Sequence, residues 1–113
     1  WFVTEIQMPT FTMKDRANKP LGQPVPYTPI RVVVGGKQHD LALHRVGATW
    51  QVSDPVGGGR VCDVNGMYRG IRVSSKGLGA REAKSMAIAQ VLEKAARVGA
   101  ERFNTVLAAS KSA

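Results

Sequence analysis

Residues 60–74 read RVCDVNGMYRGIRVS, and residues 75–85 continue SKGLGAREAKS. Apolar side chains recur every second residue in the first part. After Gly79 they recur at about 3.6 residues, the spacing of a helix face. A strand region therefore hands over to a helix between Ser75 and Ala80. Within the strand region, Arg60–Val64 and Met67–Ser74 flank Asn65-Gly66. Asn-Gly suits a two-residue reversal because both central residues need positive φ, so the sequence predicts a hairpin turning there.

Upstream, the same grammar repeats. Ile30–Val34 is a β-branched run, Gly35-Gly36 is a turn signal, and Leu41 and Leu43 alternate with Asp40, Ala42 and His44. Gly47 separates this hairpin from Ala48–Ser53, where Ala48, Trp50 and Val52 share one side. Asp54-Pro55 opens a glycine-rich loop ending at Gly59. Five successive strands joined by short turns predict an antiparallel meander.

Downstream, Ala80, Ala87, Ile88, Val91, Leu92, Ala95 and Val98 form an apolar stripe, with Glu82, Gln90, Glu93, Lys94 and Arg97 outside it. A helix of about twenty residues, rising ~1.5 Å each, is long enough to cross five strands. Gly99 permits a break, and Ala100, Phe103, Val106 and Leu107 repeat the helical spacing in a second helix. The expected fold is α+β: a meander of about five strands over residues 29–75, one long helix across it and a second C-terminal helix, within 80–110. Before it lies an arm over residues 1–28, with a short strand at Phe2–Met8. Pro9, Pro20, Pro24, Pro26 and Pro29 keep that arm extended or looped and suit it to wrapping a neighbouring subunit.

A chain of 113 residues supports one core. No apolar run reaches the ~18 residues of a membrane span. Cys62 is the single cysteine, which excludes an internal disulfide and favours a reducing cytoplasm. The chain opens on Trp1, and what precedes it is left open. Sixteen Lys and Arg stand against eight Asp and Glu, a net of +8. Residues 57–113 hold ten of those cations and four of the acids, a net of +6. Such a field attracts polyanions by counterion release and diffusional steering.

The handover stretch is where an anion would sit. A helix start exposes unpaired N–H groups and partial positive charge, and Gly77 and Gly79 lie there with Lys76, Arg81 and Lys84. The alternative is purely structural: Gly79 caps the helix, Glu82 completes the first turn, and the glycines only turn the chain. The spacing is neither that of a P-loop nor that of a dinucleotide fingerprint. On the last strand Tyr68 and Arg72 share a face, opposite Arg69, Ile71 and Val73. With Ile71 and Val73 toward the helix, Tyr68 and Arg72 would face solvent, as stacking and phosphate contacts do, or as an ordinary solvated strand does.

Other chemistry is weakly represented. His39 and His44 are five apart on a strand, hence on opposite faces, so no metal site is expected. Cys62 beside Asp63 has no base to lower its pKa. The eight acids are scattered rather than paired for acid–base work. Neither an enzyme nor a cofactor is expected, and no small-molecule substrate is identified.

The run Gly77–Ala95 resembles the closing segment of the double-stranded RNA-binding domain, where a G-x-G loop enters a helix bearing Ala-Lys and later Ala and Leu. Gly77, Gly79, Ala83, Lys84, Ala87 and Leu92 carry the likeness. It covers about a sixth of the chain, and the chain departs from the family in two respects. Its loop is two residues shorter, with Ala80-Arg81 where the family brings a Lys-Lys pair, and the proline-rich arm stands in place of the family's first helix. The strand-meander with one helix is similar as well to whirly and Pur-type modules. What these resemblances imply is that sheet-plus-helix domains of this size often bind nucleic acid.

The expected function is nucleic-acid binding through phosphates, with Lys76, Gly77, Gly79, Arg81, Lys84, Tyr68, Arg69 and Arg72 as contacts. With aromatics at 6% of the chain, a stacking platform is poorly supplied and duplex is favoured over single strand. The alternative is an assembly subunit whose basic face meets an acidic partner. Either way, the arm and unpaired edges suit a homo-oligomer.

Overall fold

The computed structural model describes residues 9–15, 17 and 19–112, so the strand expected at Phe2–Met8 lies outside the described residues. Two short strands, β1 (Thr10–Phe11) and β2 (Val25–Pro26), pair antiparallel. The sheet follows as β3 (Thr28–Val34), β4 (Lys37–Val46), β5 (Thr49–Ser53), β6 (Arg60–Tyr68) and β7 (Ile71–Ser74), antiparallel in the order β3-β4-β5-β6-β7. Helices α1 (Ala80–Val98) and α2 (Ala100–Ser112) complete the chain. The α+β meander with a long helix and a second C-terminal helix is thus the architecture of the protein.

Alternation decides which side of the sheet is core. Ile30, Val32 and Val34 of β3, Leu41 and Leu43 of β4, Trp50 and Val52 of β5 and Val64 of β6 bury one face. Against it α1 sets Ala83, Ala87, Val91 and Ala95, whose short side chains let the helix lie close. Each fully buried Leu or Val here contributes on the order of 1.5–3 kcal/mol of transfer free energy. The other face receives the arm. Phe11 is buried there, edge-on to His44 at 4.9 Å and to Tyr27 at 5.5 Å between ring centres. Lys14 N–H donates to Gly58 O at 3.0 Å, so the described part of the arm folds onto its own sheet.

Three sequence expectations shift. The last hairpin does not turn at Asn65-Gly66, which lies inside β6. It turns at Arg69-Gly70, with φ of 50° and 79°. Gly66 serves instead the close approach of β7: a Cβ there would sit 3.1 Å from Ser74 O and 3.3 Å from Val73 Cγ2.

The faces of β7 also differ from expectation. Ile71 is 66% exposed and Val73 is exposed too, while Arg72 reaches Glu93 on α1. The reason is that β6 divides its length, pairing with β5 through Arg60–Val64 and with β7 through Asn65–Tyr68. β7 therefore projects past the part of the sheet that the helix covers.

Finally, Gln90 and Lys94 belong to the packed side of α1, while Ala80, Leu92 and Val98 are exposed. The Gln90 amide both accepts from Asn65 N–H and donates to Asn65 O, where β6 passes from one neighbour to the next. Lys94 Nζ donates to Val61 O, within the irregularity that leaves Val61 between the paired residues Arg60 and Cys62. Backbone groups left without a strand partner draw polar side chains inward.

Gly99 N–H donates to Ala95 O at 2.9 Å with φ of 96°, ending α1 and redirecting the chain. Phe103 and Leu107 of α2 are buried, and Asn104 Nδ2 donates to Val34 O at 3.0 Å. No helix among the described residues is long and apolar enough to cross a membrane.

Candidate nucleic-acid interface

The connection from β7 into α1 is held by one residue, through its backbone and its indole. Trp50 N–H donates to Ser75 Oγ at 2.8 Å, and Trp50 Nε1–H donates to Leu78 O at 3.0 Å. Leu78 N–H closes on Ser75 O at 3.1 Å, and Gly77, at φ of 89°, makes the reversal. The loop Ser75–Gly79 is thereby fixed to β5 before the helix begins. Gly79 is the N-cap residue and supplies no side-chain cap, so it leaves α1's first-turn amides without one.

Around this start stand Lys76, Arg81 and Lys84, all exposed. Lys84 lies at an angular position that is buried further along α1. It is exposed all the same, as are Ala80 and Arg81, while Ala83 beside it is buried. Ion pairs among the described residues join Arg31 to Asp40, Arg60 to Asp63 and Arg72 to Glu93. None joins Lys76, Arg81 or Lys84 to a carboxylate. Glu82 shares their turn and offsets one charge.

Sequence reasoning missed Arg45 and Trp50. The guanidinium of Arg45 lies 4.4 Å from the Trp50 ring centre, across the register pair of β4 and β5. Counting outward from the Gly47-Ala48 reversal pairs these two residues, which was the available signal. Arg45, Trp50, Ala80, His44 and Tyr27 line a groove of about 530 Å³ beside the helix start.

The remaining expected contacts lie elsewhere. Tyr68, 62% exposed, and Arg69, whose guanidinium is 5.4 Å from its ring centre, are at the opposite end of β7. The four residues of β7, at ~3.3 Å each, put roughly 13 Å of strand between that turn and the loop carrying Lys76. Arg72 is engaged by Glu93. The structure therefore gathers Lys76, Gly77, Gly79, Arg81 and Lys84 in one place, and Tyr68 with Arg69 in another.

Both histidines are buried, and Cys62 is partly so. His44 Nε2 lies 2.8 Å from Ser53 Oγ, the spacing of a base and a nucleophile, but both residues are 1% exposed and Phe11 covers His44. Burial pushes the His44 pKa down, against a smaller upward pull from Arg45 O. His39 turns to the opposite face, with Nε2 2.5 Å from Asn104 Oδ1 and its ring against Phe103. Burial pushes the Cys62 thiol up, opposed by Lys94 and reinforced by Asp63. The thiolate is thus suppressed at neutral pH.

The chain matches no family model, no curated protein and no solved structure.

Proposed function

We propose that the protein binds nucleic acid, duplex in preference to single strand, by holding the phosphate backbone at the start of α1. The observation that carries this is the set of three exposed cations, Lys76, Arg81 and Lys84, that meet no carboxylate among the described residues. Uncapped amides of the first turn add donors for a phosphate oxygen, and the Trp50 anchor holds them in place with the loop. Arg45, already desolvated on one side by Trp50, joins the same surface. Its stacked guanidinium edge still offers N–H donors. These contacts position a backbone and read no base.

Mobility shifts with duplex DNA, single-stranded DNA and RNA at two or more salt concentrations test this. Arg81→Gln with Lys84→Gln should reduce the slope of log affinity against log salt by about 2, at ~0.9 per phosphate contact on duplex. Arg72→Gln should leave that slope in place, because its charge is already met by Glu93. An unchanged slope in the double variant removes the helix start from the interface.

Assembly is the second function that a specific observation favours. Met67, Tyr68, Ile71 and Val73 expose apolar surface on and beside β7, the terminal strand of the sheet. A homo-oligomer would join such edges. A salt-resistant oligomer by size-exclusion mass, indifferent to DNA, would favour this function over the first.

A further inference from the structure

We infer that the elbow between α1 and α2 is a binding site for a small amphipathic monoanion, a carboxylate carried on a short hydrocarbon chain or a single ring. A cavity of about 340 Å³ opens there between the last turns of α1, the inner side of α2 and the start of β6. That volume lies at the lower end of the ~300–1,000 Å³ typical of small-molecule sites. At ~30 Å³ per water-sized group it holds on the order of ten such groups.

Its floor is apolar: Val61, Phe103 and Leu107 are buried, and Val98 and Val106 continue the lining out to solvent. Val106 is 59% exposed although it faces this hollow, so an occupant would cover surface that the chain itself leaves wet.

The polar groups select the sign of the charge. Arg60, Lys94 and Arg102 line the cavity, Arg60 and Arg102 from exposed positions. Asp54 is the one acid there, and it is fully buried. Its two carboxylate oxygens accept Val56 N–H at 3.1 Å and Gly57 N–H at 3.2 Å. Asp63 meets Arg60 only at 3.8 Å, between exposed side chains, a weak hold that a ligand carboxylate can displace. No carboxylate among the described residues pairs with Arg102. An apolar floor under a cationic mouth suits neither a cation nor a bare phosphate backbone. Lys94 lies fourteen residues into α1, about 21 Å from Ala80 at ~1.5 Å per residue, so the site is separate from the basic helix start.

Octanoate and octylammonium, titrated into the whole chain at pH 7 with backbone amide shifts as the readout, distinguish the outcomes. Octanoate should give saturable shifts confined to residues around Val98, Phe103 and Leu107. Octylammonium should bind at least about tenfold more weakly, and Arg102→Gln should weaken octanoate about tenfold, the effect of one charged hydrogen bond. Val106→Trp should fill the hollow from an exposed position and abolish octanoate binding while leaving the melting temperature near that of the parent. Octylammonium binding as tightly as octanoate overturns the inference. So does octanoate binding unaffected by Val106→Trp, or no saturation by about 10 mM.

Discussion

The two ends of α1 carry similar charge over different ground. At the first turn Lys76, Arg81 and Lys84 surround a helix start beside an open groove edged by Arg45 stacked on Trp50. At the last turns Arg60, Lys94 and Arg102 ring a hollow floored by Val61, Phe103 and Leu107. Where exposed cations ring a helix start whose first-turn amides are uncapped, the attraction is long-ranged, salt-sensitive and indifferent to the shape of its partner. Where they stand over buried apolar surface, a ligand must supply both a charge and a body. The surface beneath a lysine or arginine therefore says more about its partner than the residue type does.

Breaking the far end should cost the most. Phe103→Ala removes the floor of the hollow and the ring against His39, and should lower stability by about 3–5 kcal/mol in denaturant titration. A loss below about 1 kcal/mol would mean that α2 is not seated on the core as described. Gly57→Ala acts at the same end. A Cβ there would lie 2.2 Å from Ser110 O, so α2 must shift, at a cost of about 1–3 kcal/mol. If the variant melts with the parent, the glycine-rich loop does not hold the end of α2.

At the near end, Trp50→Phe keeps an aromatic ring but loses the hydrogen bond to Leu78 O. Stability should fall by about 1 kcal/mol, and duplex affinity should fall with it, because the loop carrying Lys76 is no longer fixed. Unchanged affinity would separate the anchor from the interface.

The smallest effect concerns pH. His44 has a pKa below its ordinary value because burial opposes its charge. The unfolded chain then binds this proton more readily than the folded one. The contribution is fully present above the ordinary imidazole value of 6.5 and is lost as pH falls from there toward the lower folded value. One proton gives at most about 1.4 kcal/mol per pH unit. Melting temperatures of the parent and His44→Gln between pH 7.5 and 5 should converge as pH falls. Parallel curves would show that His44 titrates alike in both states.

Legibility in the sequence followed the range of each interaction. Gly35-Gly36 turns where the punctuation placed it, with φ of 55° and 78°, and the helical period begins where Gly79 ends the loop. Asn65-Gly66 misled because a glycine required for strand approach carries the same letters as a glycine required for a turn. The functioning turn, Arg69-Gly70, puts an arginine at φ of 50°, which is a weaker signal. Gln90 and Lys94 were set outside the stripe because they are polar, yet their targets are backbone groups of β6 whose need arises only from the way that strand divides between two neighbours. Of the candidate site, the cations at Lys76, Arg81 and Lys84 were legible. The engagement of Arg72 by Glu93 was not, nor was the remoteness of Tyr68 and Arg69.

Periodicity, turn residues and net charge are properties of neighbours along the chain, and from them alone come the five-stranded meander, the long helix and the excess of positive charge in the second half. Which cations are spent and which are free, and where an apolar hollow opens, depend on residues far apart in sequence: Arg72 pairs with Glu93, Trp50 bonds to Leu78, and Val61 and Phe103 line one hollow. Those distances exist only once the helix lies on the sheet, so tertiary structure alone sorts one positive field into two chemically different ends.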